Sequence, residues 1–142
     1  MTIEFSETVP VGAPAEVVGR IMCDVAQWPR WTASVSTVER SGTGPLRVGE
    51  TVVVKQPKLP PSTWTVTKVG PTGFEWTSRS PGIRNVAGHW ATDAGDGTCT
   101  AALTLSFAGP LARPTLLFYS GLVRRYMAME GEGLRAEATR TG

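Results

Sequence analysis

Two periodicities divide this chain, and they do not overlap. From Leu111 to about Ala138, apolar residues recur with a helical repeat. At about 100° per residue, Leu116, Tyr119, Val123, Tyr126, Glu130 and Leu134 fall on one side, and Arg124, Ala128, Glu132 and Arg135 on the other. Ahead of that segment, from Ser34 to Phe107, apolar and polar residues alternate between clusters of Gly and Pro, the pattern of short strands and turns. One long helix and several strands, each apolar on one side, bury those sides only by stacking helix on sheet. Gly121, Gly131 and Gly133 each weaken the helix by roughly 1 kcal/mol relative to alanine, so packing must supply much of its stability.

The elements follow in order. Ile3, Phe5 and Val9 mark a first strand. Pro14 suits the first position of a short helix reaching about Met22, and Glu16 suits its positive end. Asp24 is placed to cap a second short helix, expected to end near Trp28 because Pro29 disfavours helix in the residue before it. Strands are then expected over Val35–Arg40 and Thr51–Lys55, through Trp64 and Val66, through Phe74 and Trp76, and over Ile83–Thr92 and Thr98–Phe107. Gly70-Pro71-Thr72-Gly73 and Asp93-Ala94-Gly95-Asp96-Gly97 serve as hairpin connections. No linker divides the 142 residues, and the expectation is one α+β domain spanning all of them.

Composition narrows the function classes. The net charge of +2 comes from scattered arginines with no basic block or stripe, so nucleic acid is not expected as a partner. Cys23 and Cys99 match no ligand spacing, and there is one histidine, so neither a metal site nor a disulfide framework is expected. The two thiols read as buried and reduced, in a cytoplasmic protein. Met1 to Pro10 carries no secretion signal, and the apolar stretch Leu116–Met129 is interrupted by Arg124 and Arg125, short of the ~20 residues that span a bilayer. No glycine-rich phosphate loop follows a strand, and Asp24, Asp93 and Asp96 stand where none can complete a Ser-His-Asp triad. No cofactor is implied.

Five tryptophans and the lone His89 precede the long helix, which suits apolar walls with few polar groups, the makings of a pocket for a small hydrophobic molecule. Ala13-Pro14-Ala15-Glu16, Asp24 with Trp28-Pro29-Arg30-Trp31, Ala87-Gly88-His89, Asp96-Gly97-Thr98, Gly109-Pro110-Leu111 and Arg125-Tyr126-Met127-Ala128-Met129-Glu130 occur in this order. The series resembles the START-like (SRPBCC) superfamily, and within it the polyketide cyclase/dehydrase and lipid-transport branch. The resemblance implies a helix-grip fold: a curved seven-stranded antiparallel sheet around the C-terminal helix, two short helices between the first two strands, and a cavity between sheet and helix. It brings no catalytic signature with it, and fold alone fixes no activity.

Within that frame the candidate wall residues are Trp28, Trp64, Phe74, Trp76 and Phe107 from the body, and Tyr119, Val123, Tyr126 and Glu130 from the helix. His89 is the candidate acid–base group, because imidazole is the side chain that ordinarily titrates near neutral pH. It neighbours Trp90 on a strand, so at most one of the two faces inward; the bland alternative is a histidine bonded at the sheet edge or to a neighbouring strand. Glu130 either pairs with a cation or with His89, or sits solvated at the rim. The tyrosines offer phenol donors to a ligand carbonyl, or simply bond backbone groups. Trp64, Phe74 and Trp76 form a ligand platform or plain core, and Trp28 and Trp31 line an entrance or staple a helix to the sheet. Arg79, Arg84 and Arg113 are placed near the expected mouth, where they attract an anionic group or are solvated surface.

Three functions fit. A binder of a small hydrophobic molecule (lipid, polyketide or isoprenoid) needs only the cavity. A polyketide cyclase, aromatase or dehydratase without metal needs His89 or Glu130 inside. A non-enzymatic interaction or stress module would have its cavity collapsed. The first is favoured, in a monomer or homodimer.

Overall fold

The computed structural model describes residues 2–141. Strand β1 (Thr2–Val11) leads into helix α1 (Ala15–Cys23), a single 3-10 turn (Val25–Gln27) and helix α2 (Trp28–Trp31). Then come β2 (Thr37–Arg40), β3 (Thr51–Lys55), β4 (Ser62–Gly70), β5 (Gly73–Ser80), β6 (Ile83–Asp93), β7 (Cys99–Ala108) and helix α3 (Ala112–Thr141). The seven strands make one curved antiparallel sheet in the order β1-β7-β6-β5-β4-β3-β2, and α3 lies across its hollow side.

Alternation decides which side chains meet α3. Phe74 pairs with His89 and His89 with Leu103, while Trp76 pairs with Ala87 and Ala87 with Leu105. Cross-strand partners share a face, so these two rows run side by side across β5, β6 and β7. The row that ends at Leu103 continues to Glu7 of β1, and the other to Phe5. Trp90, one residue from His89, takes the opposite face.

The connection between β1 and β2 departs from expectation. Asp24 makes no side-chain cap, and a 3-10 turn stands where the sequence points to the start of an α-helix. Helix α2 starts at Trp28 rather than ending there, with Pro29 in its first turn. A first-turn proline gives up only an amide that has no intrahelical acceptor, so Pro29 opens this helix instead of stopping its predecessor. Strand β2 begins at Thr37, not Val35, and β4 carries a bulge between Val66 and Lys68, beyond which Val69 pairs with Phe74 and is 41% exposed.

Two close approaches fix the helices on the sheet. Pro14 cannot cap α1, and the Ala15 amide donates instead to Asp93 Oδ1 at 2.9 Å, from the end of β6. Further along, α3 crosses the C-terminus of α2 at Gly133, where an added Cβ would stand 2.1 Å from the Trp31 carbonyl oxygen. The Arg30 guanidinium pairs with the Glu137 carboxylate across the same junction. Helix propensity alone marks Gly133 as a weak point; its missing side chain is what lets the two helices touch.

Candidate functional site

Between α3 and the middle of the sheet lies a hollow of about 100 Å³. Its sheet wall is Val54 of β3, Trp64 of β4, Trp76 of β5, Ala87 and His89 of β6, and Leu103 and Leu105 of β7. Its helix wall is Tyr119, Leu122, Val123, Tyr126, Met127 and Glu130, and Trp28, Val35, Gln56 and Leu59 close the remaining sides. The register explains why space remains. Ala87 stands between Trp76 and Leu105, so the central row carries a methyl where its neighbours carry large side chains.

The aromatic residues form one continuous cluster. Trp64 stacks on Trp76 with ring centres 5.6 Å apart and planes 29° from parallel. Trp28 meets Trp76 at 5.5 Å and the His89 ring at 5.1 Å. Phe74 lies flat against His89 at 4.5 Å and 17°. Trp28 is anchored by its indole N–H, which donates to the Met22 carbonyl at 2.9 Å. Trp64 donates to Ser62 Oγ at 3.0 Å. Both indole donors are therefore taken, and what these rings offer the hollow is apolar edge and π-face.

One ionisable pair faces this cluster. His89 Nε2 lies 3.4 Å from Glu130 Oε1, with side-chain exposures of 6% and 13%. This contact joins β6 to the inward stripe of α3, so it forms only when helix and sheet are in place. His89 sits on a central strand rather than at the sheet edge, and Glu130 is turned inward rather than solvated at the rim. With Nε2 against a carboxylate, the tautomer that fits carries its hydrogen on Nε2. The other ring nitrogen, Nδ1, is buried without a hydrogen-bond partner among the described residues.

The remaining candidates separate. Tyr126 is buried and lines the hollow, but its hydroxyl donates to the Pro57 carbonyl, which leaves no phenol donor there for a ligand. Tyr119 lines the open end and is 44% exposed, so one expected inward tyrosine stands half in solvent. Phe74 is fully buried behind His89, and Phe107 packs edge-on against Phe5 at 5.9 Å; neither borders the hollow. Trp31 staples α2 to α3 through its contact at Gly133, and Trp28 does both jobs, wall and staple. Arg79 and Arg84 are cross-strand partners that alternate outward from Ser78 and Asn85, so they lie on the convex face and not at the mouth. Val35, Val54, Gln56, Leu59, Ala87, Leu122 and Met127 are wall residues absent from the candidate set. Val54 is within reach of the alternation, and Leu122 and Met127 border the helical stripe, whereas Gln56 and Leu59 sit in a proline-rich loop with no periodicity to expose them.

Among the described residues no group of three or more His, Cys, Asp or Glu could hold a metal ion, and no helix is long and apolar enough to cross a membrane. Against known families, residues 2–139 match the one described as polyketide cyclase/dehydrase and lipid transport. The chain belongs to this family. Its START-like architecture recurs in solved structures. The Zhui aromatase/cyclase of a Streptomyces species superposes with a TM-score of 0.78 at 18% identity, covering 99% of this chain and 95% of its own. A START superfamily protein from Mycobacterium smegmatis gives 0.75 at 13%, covering 98% and 99%. Norcoclaurine synthase from Thalictrum flavum gives 0.75 at 12%, covering 98% and 87%. Identities this low carry the fold of the family and nothing about the activity of this member. A comparison with curated proteins gives no match.

Proposed function

We propose that this family member binds a small, largely apolar molecule in the hollow between the sheet and α3. The observation that carries the proposal is the composition of the wall: tryptophan, leucine, valine and methionine around a single histidine–carboxylate pair. A volume of about 100 Å³ is about the room of one aromatic ring. The ligand therefore seats a ring or branched group against Trp64, Trp76 and Ala87 and extends past Tyr119 toward solvent. Nothing fills the space solid, which weighs against a module with a collapsed interior.

The test is direct. Native mass spectrometry after gentle purification should show a co-purifying hydrophobe, or take up an added neutral aromatic such as naphthol. Replacing Ala87 with leucine should abolish uptake while leaving the far-ultraviolet spectrum unchanged. Uptake that survives a filled hollow overturns the proposal.

His89 and Glu130 favour a second reading, in which the bound molecule is also turned over. A histidine and a carboxylate side by side in the wall of an apolar cavity form an acid–base pair of the kind an enolisation or dehydration uses, and the walls would hold a poly-β-ketone in its reactive fold. This is the cyclase or dehydratase alternative, and it requires product. Incubation with a synthetic polyketide mimic should give cyclised or dehydrated material that is lost in His89→Gln; no product at any pH removes this reading and leaves binding intact.

A further inference from the structure

We infer that the hollow selects its occupant by charge, and that the molecule it takes is an organic cation, an apolar body bearing an ammonium group. The inference rests on the binding reading above and names the chemical class that reading leaves open. It starts from what is missing at the wall. Among the described residues no lysine or arginine borders the hollow; Glu130 is its only carboxylate there, and His89 its only other titratable group besides two tyrosines. A carboxylate-bearing ligand would enter an aromatic chamber that already holds the Glu130 carboxylate, with no lysine or arginine to meet it.

An ammonium group meets the opposite situation. Glu130 lines the hollow with Oε1 toward His89, and a carboxylate has lone pairs on both oxygens with which to accept from a further donor. The rings of Trp28, Trp64 and Trp76 line the same hollow, Trp64 stacked on Trp76 with centres 5.6 Å apart and Trp28 tilted against Trp76 at 5.5 Å. The indole N–H groups of Trp28 and Trp64 are spent on Met22 and Ser62, so toward the hollow these two present π-electron density and not donors. A cation within about 6 Å of such faces is attracted by the ring quadrupole, most strongly where water is excluded. The nearby Arg79 and Arg84 do not reverse this, since they lie on the other side of the sheet.

The Tyr126 hydroxyl strengthens the selection. It is committed to the Pro57 carbonyl and cannot serve as a donor to a ligand carboxylate or carbonyl. Nor can the Trp64 or Trp28 indoles. The hollow thus offers a cation a carboxylate and aromatic faces, and offers an anion no lysine or arginine, only neutral donors such as the Gln56 amide.

Three probes on one skeleton test this: phenylpropylamine, phenylpropanol and phenylpropanoate, titrated into the protein at neutral pH by ligand-observed NMR with tryptophan fluorescence alongside. The amine should bind about tenfold or more tighter than the alcohol and about a hundredfold tighter than the carboxylate. Glu130→Gln, nearly the same shape without the charge, should collapse the amine-to-alcohol ratio toward one. The wild-type ranking needs no variant, so a misfolded Glu130→Gln protein does not shield the proposal. Carboxylate or alcohol binding as tightly as the amine overturns the charge selection and leaves the binding site standing. Binding of none of the three, with no fluorescence change, overturns both.

Discussion

Two glycines of α3 should respond to the same substitution with opposite sign. Gly121 faces open space, with nothing within 4 Å of an added methyl, so Gly121→Ala should stabilise the protein by about 0.5–1 kcal/mol through helix propensity alone. Gly133→Ala carries the same gain, but its methyl would stand 2.1 Å from the Trp31 carbonyl oxygen, where ordinary contact begins at 3.4 Å. The opposing atom belongs to the backbone of α2, which Trp28 and Arg30 tie down, so it cannot swing aside as a side chain would. Overpacking costs about 1–3 kcal/mol, and a backbone clash belongs at the upper end. The net loss should be about 2 kcal/mol, or about 4–8 °C in Tm for a chain of this size. Urea titration and thermal melting of both variants measure the contrast. The tryptophan emission of Gly133→Ala should also shift, because Trp28 and Trp31 move with α2. A Gly133→Ala protein that melts at or above wild type would refute the packing described for α2 and α3.

Other consequences are equally accessible. Tyr126→Phe keeps the ring on the wall and deletes the bond to Pro57, so urea unfolding should show a loss of about 1 kcal/mol; an unchanged midpoint would mean that the loop carrying Leu59 is held some other way. The Arg40 guanidinium grips Glu50 at 2.7 and 2.8 Å and holds its carboxyl below its ordinary value of 4.5. A depressed carboxyl contributes stability that is complete above its unfolded value and is lost as pH falls through the folded one. Glu50→Gln should therefore flatten the acid limb of the stability curve, and an acid limb identical to wild type would count against the pair. Burial pushes the Cys23 thiol up to about 11 and raises that of Cys99, so neither is thiolate near neutral pH. Iodoacetamide should label both slowly in the native protein and rapidly in urea; fast native labelling would show that these thiols are open to solvent.

The sheet is legible in the sequence because its signals are local. Thr51–Lys55 is bounded as expected, and the hairpin from Gly70 to Gly73 needs only Gly-Pro chemistry and the alternation on either side. The inward stripe of α3 is legible for the same reason, since Val123, Tyr126 and Leu134 follow from a single period. What the period cannot say is how completely each residue of the stripe is covered. Tyr119 shares the stripe, yet it is 44% exposed, although Ala112 and Leu116 ahead of it are buried at 2% and 7%. The misplaced end of the second short helix has a sequence-level cause: Pro29 both disfavours helix before it and favours helix after it, and local chemistry does not choose between them. The closeness of His89 and Glu130 lies beyond any local signal. Each is visible as a candidate, but their 3.4 Å separation depends on the crossing of α3 over β6, which Gly133 and α2 set from outside the hollow.

The pairing of β1 with β7, from Thr2 opposite Ala108 to Val11 opposite Cys99, joins the first strand of the sheet to the last. On the ribosome the first strand must wait as an unsatisfied edge while the others are made, and its partner emerges just before α3. Such long-range closure slows folding and leaves a sticky ribbon exposed in the meantime. The alternation of Glu4, Ser6 and Thr8 along one side of β1 keeps that ribbon tolerable in water until its mate arrives.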